Sequence, residues 1–179
     1  MWIKGGGEKM EIKNAELTIR SLRKEDANHL SKWLSNPSVL EYYEGRDQPF
    51  TIEKVMETFF LEEEGLSRYI FTLEEKPIGY IQTYTVEDEK VKTFGMDQFI
   101  GETDYWNKGI GTLLIHTMVN YLATQKSAAR IIMDPQASNE RAIRCYEKCG
   151  FEKVKLLPKH ELHEGEFRDC WLIELLIKR

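Results

Sequence analysis

Cysteine is scarce and unpatterned: Cys145, Cys149 and Cys170 are three in number and form no CxxC. That excludes a disulfide framework and falls short of the ligands a zinc site needs, so free thiols and no metal are expected. No apolar run of membrane-spanning length occurs, nor a signal or lipidation motif, which points to a soluble cytoplasmic chain without a membrane partner. Basic excess is lacking too. Lys and Arg number 25 against 30 Asp and Glu, a net charge of −5. That balance disfavours nucleic acid as partner and is compatible with a cationic one. Repeats, low-complexity blocks and Pro/Gly/Ser linkers are absent between 15 and 179, so one domain is expected there. The opening MWIKGGGEKM has three glycines in a row and little to bury, so residues 1–14 are expected to be a mobile extension.

What is present is a globular composition, 41% hydrophobic and 11% aromatic over 179 residues, enough for a real core. LTIRSL (17–22) has strand character. A helix is predicted over 24–35 with Pro37 ending it, then an aromatic and charged loop over 41–50. Thr51 can cap a second helix with Val55, Met56, Phe59 and Phe60 inward. RYIFTL (68–73) and IGYIQTYTV (78–86) predict a hairpin, and TFGMDQFI (93–100) another strand. The strongest pattern is the amphipathic helix over 109–125. A buried strand (130–134), a helix (139–149) closed by Gly150 and two last strands near 151–157 and 168–177 complete the order. Adjacent strands in the middle predict antiparallel pairing, and the later β-α-β a parallel pair. The expected fold class is therefore α/β, a mixed sheet with helices on its faces.

YWNKGIGT (105–112) lies between a strand and the clearest helix. It is not a P-loop, and Leu114 stands where a dinucleotide fingerprint needs its third glycine. Two readings remain: an ordinary glycine turn, or a loop whose backbone amides hold a pyrophosphate at a helix start, with Lys108 adding charge and Thr112 a hydroxyl.

Together with NERAIRCYEKCGF (139–151), this loop resembles the GCN5-related N-acetyltransferases, over residues 16–179. Trp106 departs from the family loop, standing where Arg or Gln is usual. The resemblance implies a central twisted sheet with a splayed strand pair and acetyl-CoA as co-substrate. Backbone groups of Lys108, Gly109, Ile110, Gly111 and Thr112 would hold its pyrophosphate. Gln98, Phe99 and Ile100 would pair with the pantetheine arm, and Asn139 would reach it. Tyr146 would stand near the thioester sulfur, although its helical phase equally admits a core tyrosine. In direct attack on a thioester the amine loses a proton, a backbone amide can stabilise the carbonyl's developing charge, and a phenol can serve the departing thiolate.

GMDQFIG (95–101), MDP (133–135), LEYYEGRDQPFT (40–51), PIGYIQTY (77–84) and LPKHELHEG (157–165) are similar to the aminoglycoside 6'-N-acetyltransferases of that family. This implies that Asp97 orients the substrate amine and accepts or relays its proton. Asp134 would bind another ammonium, and Tyr43, Glu44 and Asp47 would line the cleft. From the residues alone, Asp97 interrupts an apolar strand, which is unfavourable without a partner. Asp134 before Pro135 also reads as a turn or cap, and Glu62–Glu64 as a solvated helix end. HELH (160–163) lacks the spacing of a zinc motif, while Glu161 or Glu164 could stand at the cleft mouth. The implied function is acetyl transfer to the 6'-amine of an aminoglycoside. The alternatives are a siderophore-type lysine or ornithine amine, a protein N-terminus, or a non-catalytic sensor. Oligomeric state stays open.

Overall fold

The computed structural model describes residues 10–88 and 90–178. Eight strands form one sheet in the order β1-β2-β3-β4-β5-β6-β8-β7. They are β1 (Glu11–Asn14), β2 (Leu17–Ser21), β3 (Leu66–Leu73), β4 (Lys76–Val86), β5 (Thr93–Ile100), β6 (Arg130–Met133), β7 (Glu152–His163) and β8 (Glu166–Leu176). Every neighbouring pair is antiparallel except β5–β6, the pair joined through a helical crossover. The mixed sheet is the one the sequence predicts.

Alternation along the strands sends successive side chains to opposite faces. Tyr69, Phe71 and Ile81 join a core under α4 (Ile110–Gln125) and α5 (Glu140–Lys148). Ile70, Tyr80 and Phe99 join a second core under α1 (Ala27–Trp33), α2 (Pro37–Leu40) and α3 (Ile52–Phe59). Both faces are thus covered. Thr51 caps α3 as expected, its hydroxyl accepting from Lys54 N at 3.2 Å, with Val55 and Phe59 buried and Met56 and Phe60 half-buried.

Three expectations are corrected. The mobile extension does not run to residue 14: Glu11–Asn14 pairs with β2, because alternating side chains there can complete the sheet edge; residues 1–9 of the predicted extension lie outside the described residues. Pro37 does not simply end the first helix. It opens α2 behind Asn36, whose side chain accepts from Ser38 N, since proline suits the first helical turn. The strand read near 151–157 runs on to His163, while the last strand lies close to where it was read, and the two form one hairpin turning at Glu164 and Gly165.

What positions the site is the end of the parallel ladder. β5 pairs with β6 only at Thr93, Phe94 and Gly95. Beyond that, Met96 to Ile100 stay with β4, while the chain after β6 follows β8, with Gln136 bridging Cys170. The two strands part and leave one edge of β5 open.

Gly79 is where β4 keeps close contact with this half of β5. A Cβ there would stand 2.3 Å from the Phe71 ring and 2.4 Å from the Phe99 carbonyl oxygen. Gly79→Ala should therefore cost about 2–3 kcal/mol through overpacking against backbone, lowering the melting temperature by about 4–12 °C for a chain of this size; an unchanged thermal melt would refute the contact.

Candidate active site

Three cavities meet at Asp97. The largest, about 480 Å³, opens between the parted strands. Gly109, Gly111, Thr112 and Asn139 line it, with Gln98, Phe99 and Ile100 of β5 and Tyr146 of α5. Gly109, at φ +78°, begins α4, so the loop after β5 turns backbone amides and the positive end of that helix toward the cavity. Asn139 is the N-cap of α5, its Oδ1 accepting from Ala142 N at 3.3 Å, so a second helix start faces the same space. Lys108 and Ile110 are not wall residues: the Lys108 ammonium stands 5.8 Å from the Tyr105 ring centre, and Ile110 packs on the core.

Trp106 has a defined place in this loop. Its Nε1 donates to the Ile100 carbonyl at 2.9 Å, and the Arg141 guanidinium lies 3.9 Å from its ring centre. Arg141, Arg144 and Lys148 of α5 all border the large cavity. A cation thus stands on the tryptophan at the loop position where Arg or Gln is expected.

The second cavity, about 230 Å³, is acidic: Glu44, Asp97, Asp134 and Glu161 line it with Tyr43. The third, about 450 Å³, reaches Asp97 from the other side, past Glu44, Glu63, Glu64 and Tyr84. Glu63 and Glu64 are exposed past the end of α3, as read from the sequence, and they stand at the rim of this third cavity. Burial is the main reason that the Asp97 carboxyl is pushed up from 3.8 to about 7, with the charges of Asp134, Glu44 and Glu161 adding to it. Burial and then Asp97 hold the Tyr43 phenol far above its ordinary value. Burial, Asp134 and Asp97 push Tyr84 to about 12.

Tyr146 is half-buried, and its hydroxyl accepts from Gln98 Nε2 at 2.6 Å. The phenol proton is left for another acceptor, and burial followed by Asp97 keeps the group protonated. The tyrosine thus lines the cavity and also packs against the core. Asp134 is held by His160 Nε2 at 2.8 Å. Asp47 does not line the cleft. Gly45 turns the chain at φ +99°, and the Asp47 carboxylate folds back over that turn; Arg46 is engaged elsewhere, its Nη2 donating to Glu164 at 2.8 Å. Glu164 is thus a loop anchor, and Glu161 the wall residue. Sequence reasoning missed His160, Gln136 and Arg141, which carry no motif spacing.

A family profile described as an acetyltransferase (GNAT) domain matches residues 23–158. The aminoglycoside N(6')-acetyltransferase type 1 of Klebsiella pneumoniae is 33% identical over 152 residues, covering 78% of this chain and 76% of that protein. The chain belongs to the GNAT acetyltransferases. It is an acetyl-CoA-dependent N-acetyltransferase. The crystal structure of aminoglycoside acetyltransferase AAC(6')-Ib with coenzyme A and kanamycin superposes with a TM-score of 0.74 at 29% identity, over 89% of this chain and 94% of that one. The spermidine N-acetyltransferase of Vibrio cholerae, solved with CoA and spermine, shares the fold at a TM-score of 0.78 and 20% identity, over 91% and 96%.

The large cavity of this acetyltransferase fits acetyl-CoA: an open strand edge for amide groups, two helix starts and three cations for phosphates. Acetyl-CoA supplies the acetyl group as a thioester. No helix among the described residues is long and apolar enough to cross a membrane.

Asp97 makes a linkage prediction. Its folded-state pKa lies above the ordinary carboxylate value, so the folded protein binds the proton more tightly, and stability falls as pH rises from about 4 through about 7. Asp97→Asn removes that loss. Its melting temperature should exceed the wild type's at pH 8, and the gap should close toward pH 4; a gap independent of pH would contradict the assignment.

Proposed function

We infer that the acetyltransferase transfers the acetyl group to the 6'-amine of an aminoglycoside. The observation that carries this reading is the set of four carboxylates, Glu44, Asp97, Asp134 and Glu161, around a cavity that shares Asp97, Gln98 and Tyr146 with the cofactor cavity. Such a wall attracts a polycation and orients it through several ammonium groups. The 33% identity to an aminoglycoside N(6')-acetyltransferase supports the same substrate class.

In this reading Asp97 binds the incoming ammonium and takes its proton. A carboxyl near pH 7 is suited to that task, because it is ionised enough to act and basic enough to accept. Open backbone N–H groups of β5 face the acyl oxygen, and Tyr146 offers its proton to the leaving sulfur. Asp134, steadied by His160, and Glu161 hold further ammonium groups of the acceptor. The fold likeness to a spermidine acetyltransferase keeps a second reading in view, since the same carboxylates would attract a linear polyamine.

Thiol release from acetyl-CoA with kanamycin tests the proposal, run beside an aminoglycoside bearing a 6'-hydroxyl. Release with the 6'-amine alone is expected, and release with neither would reject the substrate. Asp97→Asn should lose at least about 100-fold in kcat while acetyl-CoA binding by calorimetry is unchanged, and the acidic limb of wild-type kcat/KM should fall near pH 7. Added salt should raise the kanamycin KM, as screening weakens the carboxylate field.

A further inference from the structure

The loop between β5 and α4 brings no basic side chain of its own to the cofactor cavity. Trp106, Asn107 and Gly109 line that cavity, whereas Lys108 turns to the Tyr105 ring. The three cations there, Arg141, Arg144 and Lys148, all come from α5, on the far side of the gap where β5 and β6 part. Arg144 is engaged, its Nη1 donating to Glu140 at 3.2 Å. The Arg141 guanidinium, among the described residues, makes no hydrogen bond and no ion pair; its contact is the Trp106 ring, 3.9 Å from its central carbon. An indole offers no acceptor, so this contact holds the guanidinium while leaving its N–H donors unused. The ring is itself fixed. Its Nε1 donates to the Ile100 carbonyl at 2.9 Å, its backbone N donates to the Thr103 carbonyl at 3.0 Å, and it packs against the core under α1, α2 and α3. The pair thus joins the end of β5 to the first turn of α5. Both residues also border a side cavity of about 270 Å³, and Arg141 is exposed, so its donors are open to a ligand.

We propose that Trp106 is a positioning residue for acetyl-CoA: it holds Arg141 across the strand gap, and the guanidinium donates to a phosphate oxygen of the cofactor. A planar guanidinium suits phosphate, whose oxygens accept two of its N–H groups at once, and two helix starts already make this end of the cavity positive. Without the ring, an exposed arginine spreads over many rotamers and must be ordered when the cofactor binds. With the ring, that ordering is done beforehand. The diphosphate and the 3'-phosphate of the cofactor are the two candidate partners. The inference concerns the cofactor alone and stands whichever amine accepts the acetyl group.

The test is calorimetric binding of CoA, and of dephospho-CoA, which lacks the 3'-phosphate, to protein without an acceptor. Arg141→Gln should weaken CoA roughly tenfold or more, and Trp106→Leu about two- to fivefold. Trp106→Phe keeps a ring face and loses the Nε1 hydrogen bond, and it should stay within about twofold of wild type. In the Arg141→Gln background, Trp106→Leu should weaken binding little further, because its effect passes through Arg141. A loss in Arg141→Gln that is seen with CoA and vanishes with dephospho-CoA assigns the bond to the 3'-phosphate. An equal loss with both assigns it to the diphosphate. Either result supports the proposal. Unchanged CoA affinity in Arg141→Gln overturns it, and this exposed position carries the test should Trp106→Leu melt early. Losses that add in full, or a Trp106→Phe variant as weak as Trp106→Leu, would mean that the tryptophan serves the loop through its own hydrogen bond or packing, and would overturn it too.

Discussion

The parallel ladder between β5 and β6 stops at Gly95 and Ile132, and the rest of the molecule is arranged around that interruption. A buried strand edge with unpaired amide groups is costly unless something pairs with it. Here the open edge faces a cavity instead of a protein strand, which makes it a place for an extended chain bearing its own amides. The helix after β5 and the helix after β6 both begin at this opening, so their positive ends converge on it. Asp97 lies two residues past the last paired one, where it lines the large cavity and the acidic cavity at once.

Around that point the charges are sorted. Apart from Asp97, the charged residues of the cofactor cavity are Arg141, Arg144 and Lys148, whereas the smaller cavity carries Glu44, Asp134 and Glu161. A polyanionic cofactor and a polycationic acceptor would each enter the half that suits it and meet at the shared carboxyl. The net charge of −5 conceals this division, because it averages two opposed fields. Holding several carboxylates around a buried Asp97 works against stability above neutral pH, and the same repulsion brings its proton affinity into the range that proton transfer needs.

Much of this was legible in local sequence. The helix over 109–125 keeps an unbroken period and the strand over 93–100 is a short apolar run interrupted only at Asp97, and both emerge within a residue of their observed ends. The cofactor wall is local as well: a strand end, a glycine turn and two helix starts are each written in a few consecutive residues. The acceptor wall is not. Asp47, three residues from Glu44, is taken out of the cleft by a turn at Gly45 that only the tertiary pairing of Arg46 with Glu164 makes evident. His160 reaches Asp134 across 26 residues, on a strand whose length was masked by Pro158 and a register shift between Leu157 and Glu161. β1 was hidden by the glycines before it.

The acceptor wall is therefore a tertiary construction. Its carboxylates come from the loop after α2, from β5, from the end of β6 and from β7. What fixes the first of these against the last is the tip of the β7–β8 hairpin. His163, buried there, donates from Nε2 to the Glu41 carbonyl at 2.9 Å, with the Leu40 carbonyl at 3.2 Å, and Glu164 grips Arg46. These contacts hold the backbone on both sides of Tyr43 and Glu44. Because the hairpin carries Glu161 as well, shifting its tip would move both acidic walls together and leave Asp97, Gln98 and Tyr146 on their own elements. Selectivity for the acceptor and the chemistry of transfer are thus mechanically separable in this fold. A change in the hairpin or the loop can reshape the acidic cavity, while the gap between β5 and β6 stays as it is.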